Sequence, residues 1–305
     1  MIKKILHRFK LFFYYSKNFG IEFGLCYLFT TKEYYKLRIK AIDICKKKFG
    51  YIFEKNYHFN YSIPIISDDQ KNIFLFWAQG FDNLPPLVKE SISRIKKYYY
   101  DYNIILLDLN NYTKYILLNK CIVDKFNKGF ISIQTFSDIL RFNLIYKYGG
   151  YWIDATILFF ARLPLFDNLK KYGFYSINHE SIQKQKIWGK IHPVTYTTFF
   201  FGTYKNSNIM KCCVDFYNEY YSIYKYNIDY FMNDFILILC MKYKIDNDIL
   251  NKVPFTNSSP FILIDTMRNS KKIDTELIYE IPQKMDWRNF DAEQYKIILE
   301  KEKII

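Results

Sequence analysis

Apolar positions along this chain fall into short unbroken runs separated by amphipathic stretches. Residues 72–77 (NIFLFW) and 102–107 (YNIILL) are continuous apolar runs of strand length, the pattern of strands buried on both faces. Residues 151–153, 173–177 and 196–202 predict further strands, and residues 157–160 predict extended chain. Between the first two runs, Pro85-Pro86 opens a helix to about residue 97, with Leu87, Val88, Ile92 and Ile95 on one face. Residues 132–148 predict a long helix stopped by Gly149-Gly150. Residues 206–226 and 228–244 predict two more. Strands alternating with helices predict an α/β domain over residues 66–305, with a mostly parallel central sheet flanked by helices. Residues 1–65 predict a separate helical extension.

Composition sharpens this picture. Half of the 305 residues are hydrophobic and 21 % are aromatic, with only 10 Gly and 8 Pro, which excludes disordered and collagen-like chains. The net charge is +14 and implies an anionic partner: nucleic acid, an acidic membrane or a phosphorylated substrate. The charge is concentrated. Residues 1–60 hold thirteen Lys/Arg against four Asp/Glu, a net +9, interleaved with Phe9, Phe12, Phe13, Tyr14, Tyr15, Phe19, Phe23 and Tyr27. Two expectations follow: an interfacial helix on an anionic membrane surface, or an extension packed on the main domain with its lysines in water. The six cysteines form no C-x-x-C pair and the four histidines show no ligand spacing, so reduced thiols in a cytosolic protein are expected. No window has the ~18 uncharged apolar residues of a spanning helix, and no secretory leader is expected. His179-Glu180 and His192 are assigned to loops.

The segment richest in chemistry is 136–156, FSDILRFNLIYKYGGYWIDAT. Asp138 and Arg141 stand three apart on a helix and share a face. The helix ends at Gly149-Gly150, and a short strand delivers Asp154 to its carboxyl end, where open α/β sheets bind ligands. On spacing alone, an i,i+3 Asp–Arg pair is most often a solvent salt bridge, and an Asp after a strand is often a turn residue. The order of all these features together is more specific than any one of them.

That order resembles the sugar-donor site of glycosyltransferase family 32 and the capsular polysaccharide synthesis proteins, and more distantly the large clostridial glucosylating toxins. The shared layout is S-D-x-x-R on a helix, then Gly-Gly, an aromatic-apolar strand and D-x-D. Here it reads Ser137-Asp138-Ile139-Leu140-Arg141, then Gly149-Gly150-Tyr151-Trp152-Ile153-Asp154-Ala155-Thr156. The strand NIFLFWAQG, followed by Pro85-Pro86, resembles the family's first strand. Lys284-Met285-Asp286-Trp287-Arg288 resembles its K-x-x-W-K stretch, and Asp229-Tyr230-Phe231-Met232-Asn233-Asp234 its D-Y-F-x-x-D segment. The likeness runs from about residue 72 to 288.

The resemblance implies a GT-A-type nucleotide-sugar-binding fold and transfer of a hexose, with retention, from a nucleotide sugar, UDP-linked in the first instance. The acceptor it implies is a polyprenyl-diphosphate-linked glycan or polysaccharide in bacterial capsule or surface polysaccharide synthesis, at the inner face of the plasma membrane. Trp77 would stack on the base. Asp138 and Arg141 would hold sugar hydroxyls. Asp154 would bind the ribose or a divalent metal, Mn²⁺ or Mg²⁺, with Thr156 and Asp286 as further ligands. Lys284 and Arg288 would meet phosphate oxygens, Trp287 would cover the donor, and Asp234 would lie near the acceptor or the sugar. Asp229 is expected to cap its helix. Thr156 departs from the family's second Asp, and a neutral hydroxyl is a poorer metal ligand than a carboxylate. Two rival readings stand beside this one. The first is a basic, aromatic-rich nucleic-acid binder, disfavoured because the charge sits in the first 60 residues and no RNA-binding motif is present. The second is a degenerate transferase that binds sugar nucleotide without turnover.

Overall fold

The computed structural model describes residues 2–29, 34–55, 64–179, 196–269 and 275–301. The two apolar runs form β1 (Asn72–Phe76) and β2 (Asn103–Leu107), joined by helix α4 (Pro86–Tyr98) with Pro86 in its first turn. They pair in parallel, as a strand–helix–strand crossover requires. Helix α6 (Ile133–Tyr148) hands the chain to β3 (Gly150–Ile153), which lies parallel to β1 on its other side. Next come β5 (Phe174–Asn178) and β6 (Tyr196–Thr203), giving the strand order β2-β1-β3-β6-β5. β6 is antiparallel to both β3 and β5, so four of the five strands run the same way. The chain is thus a mixed α/β molecule with a mostly parallel sheet between helices, as its hydrophobic pattern predicts.

The α6–β3 joint explains why two glycines stand there. Gly149 ends the helix at φ +67° and Gly150 enters the strand at φ +97°. A Cβ on Gly150 would lie 2.4 Å from the Asn72 carbonyl oxygen of β1, and one on Gly149 would lie 2.5 Å from Gln70 Oε1. Helix α6 is capped by Ser132, whose hydroxyl accepts from the Thr135 amide at 3.2 Å. It is buried on nearly every side, between the sheet and the helix Asn208–Ile223.

Some expectations shift. The helix expected over 228–244 begins at Met232. Asp229 does not cap it; its carboxylate accepts from the Phe231 amide at 2.8 Å and pairs with Arg38 at 3.6 Å, both side chains buried. Extended chain after Asp154 leaves the main sheet: β4 (Ile157–Leu158) pairs antiparallel with β7 (Gln283–Lys284) in a separate ribbon. Several helices carry no expectation from the sequence, among them α5 (Lys120–Asn127), α7 (Leu165–Tyr172) and the late helices Ile262–Asn269 and Ala292–Lys301.

The amino-terminal helices α1 (Ile2–Phe19), α2 (Ile21–Phe29) and α3 (Tyr34–Lys55) pack on the α/β body. Tyr15, Phe23, Leu37, Ala41, Cys45, Phe49 and Phe53 belong to the same continuous core as the sheet. Tyr15 donates from its hydroxyl to the Asn227 carbonyl at 2.7 Å. Phenols elsewhere solve the same problem of burying many tyrosines, for their hydroxyls reach backbone carbonyls: Tyr151 to Leu165 O at 2.9 Å, Tyr220 to Tyr226 O at 2.7 Å. All six cysteines are free thiols. Among the described residues no helix is long and apolar enough to cross a membrane.

Candidate functional site

The parallel register of β1 and β3 sets Phe74 beside Trp152. The strand ends then deliver Asp154, two residues past Trp152, and Trp77, three past Phe74, to the carboxyl edge of the sheet. Trp152 and Asp154 share one face by strand alternation, and the Trp152 indole N–H donates to Asp154 Oδ1 at 2.9 Å. Arg141 of α6 reaches the same oxygen with Nη2 at 3.4 Å and pairs with Asp138 Oδ1 at 3.2 Å. Its Nη1 donates to the Thr198 carbonyl of β6 at 2.5 Å, and its guanidinium lies 5.0 Å from the Trp152 ring. The side chains of Arg141 and Asp138 are only 8 % and 13 % exposed, so this pair is no solvent salt bridge. Arg141 Nε is buried without a hydrogen-bond partner, unusual for a group with strong donors.

The far end of the chain closes the site. β7 holds Lys284 opposite Ile157 of β4. Its ammonium donates to Asp154 Oδ2 and to Thr156 Oγ1, both at 2.8 Å. The turn that follows places Trp287 edge-on to Trp77, ring centroids 5.4 Å apart. Residues separated by 210 positions thus form one aromatic corner. Trp287 is 39 % exposed, and Arg288 lies against its ring.

Charge differs across the two central carboxylates. Burial pushes Asp138 up to about 6; the charge of Asp154 adds to this and Arg141 opposes it. Burial alone would raise Asp154 too, but the Lys284 and Arg141 cations outweigh it and hold the group below the usual carboxylate range. Asp234, expected near acceptor or sugar, is buried beside Asp138; burial and that neighbour raise its carboxyl well above the ordinary range.

The residues expected to hold Mn²⁺ or Mg²⁺ do not fit a divalent ion. Asp154 and Thr156 face each other across the Lys284 ammonium. Asp286 turns away, accepting from the Arg288 amide at 3.2 Å and pairing with Arg268 at 3.6 Å. Among the described residues no group of three His, Cys, Asp or Glu is placed to ligate a metal, whereas hard cations ask for several oxygens. Glu180 and His192 lie outside the described residues.

Sequence reasoning missed Trp152, Thr198 and Tyr230. Trp152 was legible, because i,i+2 spacing in a strand puts it on the face of Asp154. Thr198 acts through its carbonyl, which no side-chain pattern reveals. Tyr230 is exposed yet lies near enough to Asp138, Asp154, Arg141 and Arg288 to feel their charges.

Comparison with known proteins bears on this geometry. The model of the capsular polysaccharide synthesis protein family matches residues 30–304. The O-glycosyltransferase braB of Annulohypoxylon truncatum is 30 % identical over 109 residues, covering 33 % of this chain and 25 % of that protein. The glycosyltransferase afumC of Aspergillus fumigatus is 28 % identical over 109 residues, covering 33 % and 28 %. The chain spans about a quarter of the length of the curated relatives it matches. Among solved structures, the PaToxG glycosyltransferase aligns over 86 % of this chain and 95 % of its own, with 15 % identity and a TM-score of 0.39. The family match contains both the 137–156 segment and the 284–288 turn that the fold brings together, and the chain belongs to the capsular polysaccharide synthesis protein family.

Proposed function

We propose that this protein transfers a hexose, with retention, from a nucleoside diphosphate sugar, UDP-linked in the first instance, to a lipid-linked oligosaccharide or polysaccharide in surface polysaccharide synthesis. The observation that carries this reading is the meeting of two distant segments at one sheet edge. Trp77 and Trp287 form an aromatic corner, and Asp138, Arg141, Asp154 and Lys284 form a charged cradle beside it. A flat base suits the aromatic corner. Sugar hydroxyls suit Asp138 and Arg141, which offer acceptors and donors a few ångströms apart. Lys284 and Arg288 supply positive charge for a departing diphosphate. Catalysis in such a site is mostly positioning and electrostatics. The acceptor hydroxyl attacks C1 on the face the diphosphate leaves, and its proton passes to the departing phosphate oxygen.

A surface for the lipid-linked acceptor is supported by the amino-terminal helices. On α1, Ile5, Leu6, Phe9 and Phe13 are exposed along one face; on α2, Ile21, Leu25 and Phe29 are. Exposed Lys10 and Lys17 flank the α1 row. Apolar rows edged by lysine suit an anionic lipid surface, and the protein is placed there as a peripheral, cytoplasmic-face enzyme.

A donor screen tests the reading. Purified protein is incubated with UDP- and GDP-sugars, and released nucleoside diphosphate is measured beside Asp154→Ala and Arg141→Ala, both checked for folding by circular dichroism. Release from one donor, lowered about 100-fold or more in both variants, is expected. Donor binding without release, with or without candidate acceptors, would favour a sugar-nucleotide binder. Absence of any nucleotide-sugar binding by calorimetry would end the donor-site assignment.

A further inference from the structure

We infer that Lys284 is itself the cation of the donor site, standing where the resemblance calls for a divalent metal, so that transfer proceeds without one. This rests on the nucleotide-sugar reading above. Two features converge on it. The ammonium lies 2.8 Å from both Asp154 Oδ2 and Thr156 Oγ1, the two side chains of the D-A-T triplet. A cation bound between them would meet a like charge at contact distance. The third expected ligand, Asp286, is engaged by Arg268 and by its own turn.

The lysine is also held in place by backbone. β7 pairs Lys284 with Ile157, two residues past Ala155, and the Lys284 amide donates to Pro260 O at 2.7 Å. Its neighbour Met285 donates from its amide to Thr156 O at 3.1 Å. The stem is thus fixed to β4 and to the turn before it, which carries the triplet. An ammonium has three donors. Two go to Asp154 and Thr156, which leaves one for a diphosphate oxygen.

This arrangement accounts for Thr156. A single positive charge needs one carboxylate to balance it, and Asp154 supplies that. A second carboxylate at position 156 would leave a net negative charge facing the phosphate. In the transfer step the bond from C1 to the β-phosphate oxygen breaks, and its electron pair stays on that oxygen. The bond from the acceptor oxygen to C1 forms, and the acceptor's proton ends on the diphosphate. Lys284 stabilises the charge as it appears, by hydrogen bond and by field.

The test uses the full chain stripped with EDTA and two readouts. UDP, with GDP as a second probe, is titrated by calorimetry in EDTA and in millimolar Mn²⁺. Separately, the electron paramagnetic resonance signal of Mn²⁺ is recorded with and without protein, a readout that needs no nucleotide. The expected result is nucleotide affinity equal within about twofold in the two conditions, and weaker by about tenfold or more in both for Lys284→Met. Free Mn²⁺ keeps its signal beside the wild-type protein. The double variant Thr156→Asp/Lys284→Ala binds Mn²⁺ and regains nucleotide affinity only in its presence. The inference is overturned if the wild type immobilises Mn²⁺ in a manner lost in Asp154→Asn, or if Mn²⁺ raises its nucleotide affinity about tenfold; the donor-site reading survives either outcome. If no nucleotide or nucleotide sugar binds in either condition, the donor-site reading falls and this inference with it. The wild-type comparison decides the matter even where Lys284→Met fails to fold.

Discussion

Asp138 and Asp154 carry the same side chain a few ångströms from the same guanidinium, yet they titrate apart. Only Asp154 has Lys284 in contact. Asp138 shares Arg141 and is pushed by burial up to about 6. It is ionised above that pH and neutral below it. If the carboxylate holds a donor hydroxyl, kcat/KM of the free enzyme falls about tenfold per unit as pH drops below about 6, and Asp138→Asn, already weak, loses that limb; a flat wild-type profile from pH 5 to 8 would refute the role. The sign for stability is the opposite. The native group binds its proton more tightly than the unfolded chain's carboxyl, near 4. Its contribution is fully present below about 4 and is lost as pH rises through about 6. Thermal melts should show the wild type gaining on Asp138→Asn as pH falls from 7 to 4.

Among the elements, the joint between α6 and β3 sets the site, because it fixes Arg141 against Asp154. Gly150→Ala faces both a positive φ and a Cβ 2.4 Å from the β1 backbone. Its cost is about 3–5 kcal/mol, combining backbone strain with overpacking. Gly129→Ala is the control: φ is +71°, but nothing lies within 4 Å of its Cβ. That change costs only about 1 kcal/mol of strain. Urea denaturation of the two variants separates them; equal midpoints would show that close approach to β1 contributes nothing. The elements carrying this joint were legible because their signals are local: a capping serine, sixteen helical residues and a double glycine. The ribbon of β4 and β7 was not. Two residues on each side carry no periodicity, and their pairing spans more than 120 positions.

At the scale of the molecule, the amino-terminal helices do two things at once. One side is core: α3 brings Cys45, Phe49 and Phe53 into the interior and Arg38 into a buried pair with Asp229. The other side leaves an apolar row in water, with Phe13 67 % exposed. The packed extension expected for residues 1–60 describes the inner faces of these helices, and the proposed membrane contact concerns only their outer faces. Phe9→Ser/Phe13→Ser in the full chain should weaken sedimentation with vesicles containing phosphatidylglycerol by roughly tenfold or more. Release of nucleotide from donor in solution should stay unchanged. Equal sedimentation of variant and wild type, or binding to neutral vesicles as strong as to anionic ones, would remove the membrane from the proposal.

What the sequence determined alone are the features encoded within one turn, one strand or one helix: the α/β alternation, the sheet-edge position of Asp154, the shared face of Asp138 and Arg141, and the basic aromatic helices. Short-range sterics and burial dictate these, so they can be read in a window. Tertiary structure decided what each charge does. It buried the Asp138–Arg141 pair that spacing alone assigned to solvent. It turned Asp286 toward Arg268, and it brought Lys284 across 128 positions to Thr156. The protonation and partner of a carboxylate depend on the dielectric and the nearest cation, both set by chain segments far away in sequence.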